Sequence, residues 1–290
     1  MRKSLLALGL SVLFFSCKEH LEVLPGSGPA SSDTTYTAGV ETPQQRNVLI
    51  EEYTGVTCPR CPEGRQYIRS YETQYPGRII AVGYYPYNQP QSNPVYDLTK
   101  QDFRSDKATT LGEDYLGGVF FLPAAAIDRS PFTGGAYISD RNQWAGKVAD
   151  RINVATPVNI YVTSAYDAAT HQATIKVKAA FTQAVQKKVM LSVNIIENEI
   201  IDAQEYYDGN FVVKDTFYQH DHVMRDILTQ TFGTPILNNI TIDAGRVYER
   251  TFTYTIGTAW NPEHCKIVAF ISTNETGDKE VLQAAEAGLE

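Results

Sequence analysis

The spacing of hydrophobic positions changes along the chain and divides it into four stretches. Residues 1–16 end in a continuous apolar run, and residues 17–46 are polar without an apolar period. In residues 47–154 short apolar runs alternate with helical spacing, whereas residues 155–290 keep mostly to alternation of period two. We predict a signal peptide at 1–16, a flexible tether at 17–46, an α/β domain at 47–154 and a β-domain at 155–290.

The amino-terminal stretch has the features of a lipoprotein signal. Arg2 and Lys3 precede an apolar run over 5–15, and Ser16 stands directly before Cys17. This run is roughly half of the ~20 residues that a transmembrane helix needs, so cleavage on export is expected. We expect Cys17 to be acylated and to hold the mature chain on a membrane outside the cytoplasm. A secreted protein with a free Cys17 is the alternative.

Strands and helices alternate in the predicted α/β domain. Apolar runs at 48–53, 79–84 and 119–127 predict strands, the last with an internal proline. Helices are predicted from the end of the first run to about residue 74 and over 139–152. The proline- and asparagine-rich segment 86–118 interrupts this alternation and has the features of an insertion, with a helix around 97–109.

The last stretch predicts an antiparallel β-sandwich. Turn residues separate short alternating segments at 158–165, 173–181, 189–196, 236–242, 248–256 and 266–272. This spacing is typical of immunoglobulin-like sandwiches, and a helical turn is expected around 222–228.

Composition excludes several classes of function. The formal net charge of −8 at pH 7 disfavours nucleic acid as a partner. The chain has neither the Gly-x-Ser-x-Gly elbow of hydrolases nor the His-Glu-x-x-His motif of metalloproteases. His220 and His222 are two residues apart, but without a nearby set of carboxylates they are expected to be solvated or hydrogen-bonded. We therefore expect no metal and no cofactor.

The chemistry that the sequence does suggest lies in a pair of cysteines three residues apart. Cys58 and Cys61 directly follow a predicted strand and open a predicted helix, whose positive end stabilises a thiolate. Cys58 is then the attacking sulfur and Cys61 the resolving one, with Arg60 adding positive charge. An inert structural disulfide is one alternative. Half of a zinc site, which His264 and Cys265 would complete, is another, although a buried Cys265 more often serves as a small hydrophobic residue.

This segment resembles the active site of the thioredoxin superfamily over about residues 47–152. The resemblance implies that Pro123 is a cis-proline packed against the disulfide and that Leu122 contacts bound peptide. Pro59 and Arg60 stand where the family most often has Gly-Pro, and we expect them to contact substrate as well. Because this intervening pair differs, the direction of electron flow stays open.

The whole chain resembles a narrower group. Three runs of residues resemble the twenty-eight-kilodalton outer-membrane protein family of Bacteroidetes. They are Glu51-Glu52-Tyr53-Thr54-Gly55, Cys58-Pro59-Arg60-Cys61-Pro62 and, later in the chain, His222-Val223-Met224-Arg225-Asp226. The resemblance implies a lipoprotein with a thioredoxin-like domain followed by a β-rich domain, anchored to the outer membrane on its periplasmic face or at the cell surface.

Two hypotheses about function follow. In the first, a tethered oxidoreductase exchanges disulfides with protein thiols through Cys58 and Cys61. In the second, the protein is a non-enzymatic binding or structural lipoprotein of the outer membrane or cell surface, with envelope proteins as partners, and its disulfide is structural.

Overall fold

The computed structural model describes residues 30–237 and 241–290. The predicted signal peptide and Cys17 lie outside these residues. Within them, no helix has the length and hydrophobicity that crossing a membrane requires.

The described part of the chain is mostly β-structure with few helices. In chain order the strands are β1 (Ala30–Thr37), β2 (Val48–Tyr53), β3 (Ile79–Tyr84), β4 (Ala124–Ile127), β5 (Ser139–Asp140), β6 (Val158–Asp167), β7 (Gln172–Phe181), β8 (Val189–Glu197), β9 (Ile200–Asp208), β10 (Phe211–His220), β11 (Val223–Ile227), β12 (Thr234–Pro235), β13 (Arg246–Thr255), β14 (Cys265–Thr273) and β15 (Val281–Gly288). The helices are α1 (Cys61–Gln74), α2 (Asp106–Thr110), which a π-helical turn extends through Leu111–Tyr115, and α3 (Trp144–Arg151).

One sheet runs through both halves of the chain. Its strand order is β15-β14-β8-β11-β3-β2-β4-β5, with β12 paired to β8. The pairs β2–β3 and β11–β3 are parallel and the others antiparallel. The sheet curls until β15 returns to β2, where the Asn47 backbone N–H donates to Oε1 of Gln283 at 2.8 Å. The predicted boundary at residue 154 therefore falls between elements that share a sheet.

Different partners cover the two ends of one sheet face. At the β8–β14 end a second antiparallel sheet, of order β1-β13-β7-β6, encloses an apolar core that includes Ile175, Phe252, Leu191 and Ile267. This is the two-sheet packing predicted for the second half of the chain. At the β2–β3 end, α1 and α3 pack on the sheet through Ile68, Trp144 and Val148.

The opposite face of the sheet is covered by the segment around α2. Its core combines residues from both halves of the chain, among them Tyr53, Leu111, Met224 and Phe270. This segment, predicted as an insertion, is therefore a structural part of the protein's core.

The predicted flexible tether is wrong for residues 30–46. Strand β1 pairs with β13 over its full length, from Ala30 opposite Thr253 to Thr37 opposite Arg246. Arg46 is buried and ion-paired to Asp128 at 3.0 Å. The hydrophobic pattern missed β1 because its residues 31–37 are exposed, so backbone hydrogen bonds rather than apolar burial hold the strand.

The helical turn predicted around 222–228 is also wrong, because residues 223–227 form strand β11 between β8 and β3. The preceding β9 and β10 form a separate two-stranded hairpin, which the hydrophobic pattern did not predict. Its turn contains Asp208-Gly209, a common hairpin signal, and Gly209 has a φ of 60°. Polar residues alternate irregularly along β10, which explains why no strand pattern was evident there.

Candidate functional site

The two cysteines of the predicted site form a disulfide. Their Cα atoms are 5.4 Å apart. Cys58 lies in the loop after β2, and Cys61 is the first residue of α1. The Cys61 backbone N–H donates to the Cys58 carbonyl at 3.0 Å, and Pro62, which has no N–H to satisfy, occupies the first turn of the helix.

The predicted cis-proline lies beside this helix. The Leu122–Pro123 peptide bond is cis and directly precedes β4. A Cβ atom added to Gly64 would lie only 2.9 Å from Cβ of Pro123, so the proline ring packs on α1 one turn beyond Cys61. Leu122 belongs to the same buried apolar cluster as Cys58 and Cys61. The fold thus brings together residues that are more than sixty positions apart in the sequence.

The predicted substrate-contacting residues differ in exposure. Arg60 is exposed and Pro59 half-buried, but Leu122 keeps only 9% of its surface exposed. The residues just before it are open: Phe120 is 82% and Phe121 41% exposed. The aromatic side chains next to the cis-proline are therefore better placed to meet a partner than the Leu122 side chain.

The β9–β10 hairpin covers the loop that carries Cys58. Nε2 of Gln204 donates to the carbonyls of Gly55 and Cys58, at 3.1 and 3.2 Å. The Glu205 N–H donates to the Val56 carbonyl at 2.8 Å. Both cysteines are buried, with Cys58 2% and Cys61 3% exposed, and they pack in a cluster with Leu111 and Leu122.

A buried carboxyl group lies under the start of α1. Glu52 is fully buried on β2, and its Oε1 would be 3.0 Å from a Cβ on Gly64. Its Oε2 is 2.8 Å from a guanidinium nitrogen of Arg65, which is also buried. Burial raises the pKa of Glu52, while the positive charge of Arg65 opposes the rise. The carboxyl group therefore lies against α1 at Gly64, about one helical turn beyond Cys61.

The structure does not support a zinc site. Cys265 lies on β14 in the core between the two sheets, whereas Cys58 and Cys61 lie in the core on the other face. Burial raises the pKa of the Cys265 thiol to about 12, as suits a core residue. Within 30–237 and 241–290, no three His, Cys, Asp or Glu side chains gather as metal ligands.

The two histidines point to different partners. Nε2 of His220 is 3.2 Å from the Ala203 carbonyl, and its Nδ1 is 3.4 Å from the Tyr85 hydroxyl. His222 instead contacts Arg65, with its Nδ1 2.7 Å from the guanidinium. Both histidines are hydrogen-bonded within the fold.

Sequence reasoning did not assign roles to Glu52, Arg65 or Gln204. An acidic residue inside an otherwise buried strand was the available signal for Glu52. Arg65 and Gln204 carried no such signal, because their importance depends on contacts between distant segments.

These features define a β-rich protein with a Cys-x-x-Cys disulfide at the start of a helix. The same helix packs against a cis-proline and a buried carboxyl group. The family model described as outer membrane protein Omp28 matches residues 116–289. The chain therefore belongs to the Omp28 outer membrane protein family, which confirms the predicted resemblance. The matched region includes Pro123 and the run His222–Asp226 but begins after the two cysteines.

A solved structure shares this fold at low sequence identity. HBP35 of Porphyromonas gingivalis is similar with a TM-score of 0.61 and 16% identity, over 86% of this chain and 77% of that one. A crystal structure of an Agrobacterium tumefaciens protein is similar with a TM-score of 0.49 and 16% identity, over 86% of this chain and 96% of that one. No curated protein sequence matches the chain.

Proposed function

We propose that this protein is an outer-membrane lipoprotein whose Cys58–Cys61 pair exchanges disulfides with protein thiols. The observation that carries the proposal is the position of the disulfide at the start of α1, a helix whose Gly64 packs against both cis-Pro123 and buried Glu52. In this proposal β2, α1, β3 and β4 form a thioredoxin-like unit, and the strands of the second half form an immunoglobulin-like sandwich that supports it.

The exchange proceeds in two balanced steps. A substrate thiolate attacks Sγ of Cys58, the Cys58–Cys61 bond breaks, and Cys61 leaves as a thiolate. A second substrate thiolate then attacks the substrate sulfur of the mixed disulfide and releases the Cys58 thiolate. Two electrons have passed from the substrate to the protein, and the reverse sequence reduces a substrate disulfide.

In this mechanism Glu52 donates and accepts the proton of the Cys61 thiol. When Cys61 leaves as a thiolate, a protonated Glu52 donates to it, and in the reverse direction the carboxylate accepts the thiol proton. Burial supports this role because it raises the pKa of Glu52 and so favours the protonated carboxyl group more than exposure to water would.

Location follows from the family and from the amino terminus. Family membership supports the outer membrane, and the predicted signal peptide 1–16, which ends directly before Cys17, supports attachment by lipid. Envelope proteins with cysteines are then the partners within reach of the site.

A second candidate function has its own supporting observation. Cys58 and Cys61 are almost fully buried, as expected of an inert structural disulfide. The protein would then be a non-enzymatic binding or structural lipoprotein of the envelope.

A redox titration separates these functions. The mature chain carrying Cys17→Ser and Cys265→Ala keeps only Cys58 and Cys61 as thiols. After equilibration in graded glutathione or dithiol buffers, the free thiols are alkylated and counted, with Cys58→Ser as the control that cannot form the bridge. A reversible midpoint between about −270 and −120 mV supports exchange, whereas a bridge that persists below about −300 mV supports the structural role.

A further inference from the structure

A chain of polar contacts connects the second half of the molecule to the disulfide site. Arg65 on α1 divides its guanidinium between two partners, with one nitrogen 2.8 Å from Oε2 of Glu52 and the other 2.7 Å from Nδ1 of His222. Nε2 of His222 continues to Oε1 of Glu72, at 3.3 Å. Because Arg65 and Glu72 are two helical turns apart, His222 fits between them along one face of α1.

The protonation state of His222 follows from its partner. An arginine side chain only donates hydrogen bonds, so Nδ1 of His222 must be the bare acceptor nitrogen. The proton is then on Nε2, which donates to Glu72. Burial and the positive charge of Arg65 lower the pKa of His222 to about 3, in agreement with a neutral ring.

The backbone fixes His222 where this contact requires it. Its carbonyl accepts from the Gly83 N–H at 2.7 Å, and its own N–H donates to Oδ1 of Asn198 at 2.8 Å. Its φ of 60° lies in the left-handed region, which few residues other than glycine and asparagine adopt readily. A strained backbone held from both sides presents the imidazole to α1 in one orientation.

We infer that His222 is a positioning residue for the disulfide site, because it holds Arg65 against Glu52 and so sets the charge of the carboxyl group packed beside Gly64. This inference rests on the proposed role of Glu52 in disulfide exchange. It also gives a role to the run His222–Asp226, which the mechanism alone leaves unused. Without the Nδ1 acceptor, the freed guanidinium turns toward Glu72, and Glu52 loses its ion-pair partner and binds its proton more tightly.

Other charged groups surround this chain of contacts. The charge of Glu72, on α1, interacts with Glu52. Three charged groups interact with His222. They are Arg69 on α1, Asp221 in the adjoining turn and Lys266 on β14. None of these groups changes in the test below, so their contribution is common to all variants.

The test measures proton binding by Glu52 through the reactivity of the reduced cysteines. The mature chain with Cys17→Ser and Cys265→Ala is reduced by a phosphine, and its rate of alkylation by iodoacetamide is measured from pH 5 to 9. An inflection that Glu52→Gln abolishes reports the proton affinity of Glu52. His222→Leu removes the acceptor, and we expect it to raise that affinity at least tenfold, which moves the inflection up by one pH unit or more.

Two further variants of the same residue act as matched controls. His222→Asn places an oxygen where Nδ1 stands and suits the left-handed backbone, so it should keep the wild-type inflection. His222→Gln can reach toward Glu72 but offers no acceptor at the Nδ1 position, so it should behave like His222→Leu. Arg65→Lys keeps the charge but cannot hold both partners, and should shift the inflection without any change at His222.

Three results would overturn the inference: no shift in His222→Leu and Arg65→Lys, an equal shift in His222→Asn, or an effect of His222→Leu that persists in a Glu52→Gln background. If His222→Leu does not fold, as judged by urea denaturation, His222→Gln, which also lacks the acceptor, and His222→Asn, which keeps it, still decide the matter. The phosphine reduces the disulfide whatever its reduction potential. A disulfide that glutathione does not reduce would therefore contradict the proposed function but would not affect the measured alkylation rates.

Discussion

At the scale of single residues, the site depends on side chains that are absent as much as on those present. Gly64 leaves room for both Pro123 and the Glu52 carboxyl group, which approach the same face of α1. The cysteine pair, the proline and the carboxyl group can be adjacent only because this position has no side chain.

Gly64→Ala should therefore destabilise the protein by about 1–3 kcal/mol, because its methyl group would overlap the Pro123 ring. Gly146→Ala in α3 is the matched control, since nothing lies within 4 Å of its added methyl group. In that helical position alanine should stabilise by up to about 1 kcal/mol. Urea denaturation of both variants checks the contrast, and equal stability of the two would show that Pro123 does not pack as described.

Buried histidines make stability depend on pH. Burial lowers the pKa of both His220 and His222 to about 3, whereas an unfolded histidine titrates near ~6.5. Between these values the unfolded chain binds protons that the folded chain does not, so stability is full above pH 6.5 and falls as the pH drops toward 3.

His220→Gln should make the free energy of unfolding depend less steeply on pH. The loss of one histidine reduces the slope by at most about 1.4 kcal/mol per pH unit. The measurement is the free energy of unfolding in urea at pH 7.5, 6.5, 5.5 and 4.5, for wild type and variant. The two curves should run parallel above pH 7 and converge below 6.5. Parallel curves throughout would mean that folding does not change the pKa of His220.

At the scale of elements, the β9–β10 hairpin is hydrogen-bonded to the loop that carries Cys58. It has no other strand beside it among the described residues, and it lies over the site through the contacts of Gln204 and Glu205. Arg60 lies 5.7 Å from the Tyr207 ring, a cation–π contact at the exposed rim.

Gln204→Ala should loosen the hairpin and speed reduction of the disulfide by dithiothreitol several-fold, because two hydrogen bonds to the cysteine loop are lost. Gln219→Ala, on the exposed side of β10, is the control and should leave the rate unchanged. The rate is followed by alkylation and mass shift. Identical rates for the two variants would show that the hairpin does not limit access.

At the scale of the whole molecule, the two predicted domains share a sheet and a core. Phe270 of β14 and Met224 of β11 pack in one cluster with Tyr53 of β2. Arg46, ahead of β2, donates to the Val281 carbonyl at 2.6 Å. Each half completes a buried surface of the other.

We therefore expect the chain to unfold in urea as one cooperative transition, and residues 30–154 expressed alone to lack a stable fold. Circular dichroism and tryptophan fluorescence should give the same midpoint, since Trp144 and Trp260 report on opposite halves. Two separate midpoints would instead support independent domains with the predicted boundary.

Many strands and part of the site were predictable from the sequence, but the pairing of distant segments was not. The buried runs at 48–53 and 79–84 are strands as predicted, and the cysteine spacing with a later proline identified three members of the site. By contrast β1 and β10 bury too little to show a period, and Gln204 matters only through pairing between distant segments. Local patterns carry no information about which distant strand will cover a loop.

The pairing of β11 with β3, which joins the two halves of the chain in one sheet, also has a consequence for hydrogen exchange. Strands β11 and β3 meet in a single ladder pair, Val223 with Gly83, and the Gly83 amide hydrogen is bonded to the His222 carbonyl. Elsewhere the sheet's ladders are longer, so a fluctuation that parts the strands costs least at this place. The deuterium uptake of Gly83 in heavy water therefore counts how often the sheet opens along its middle.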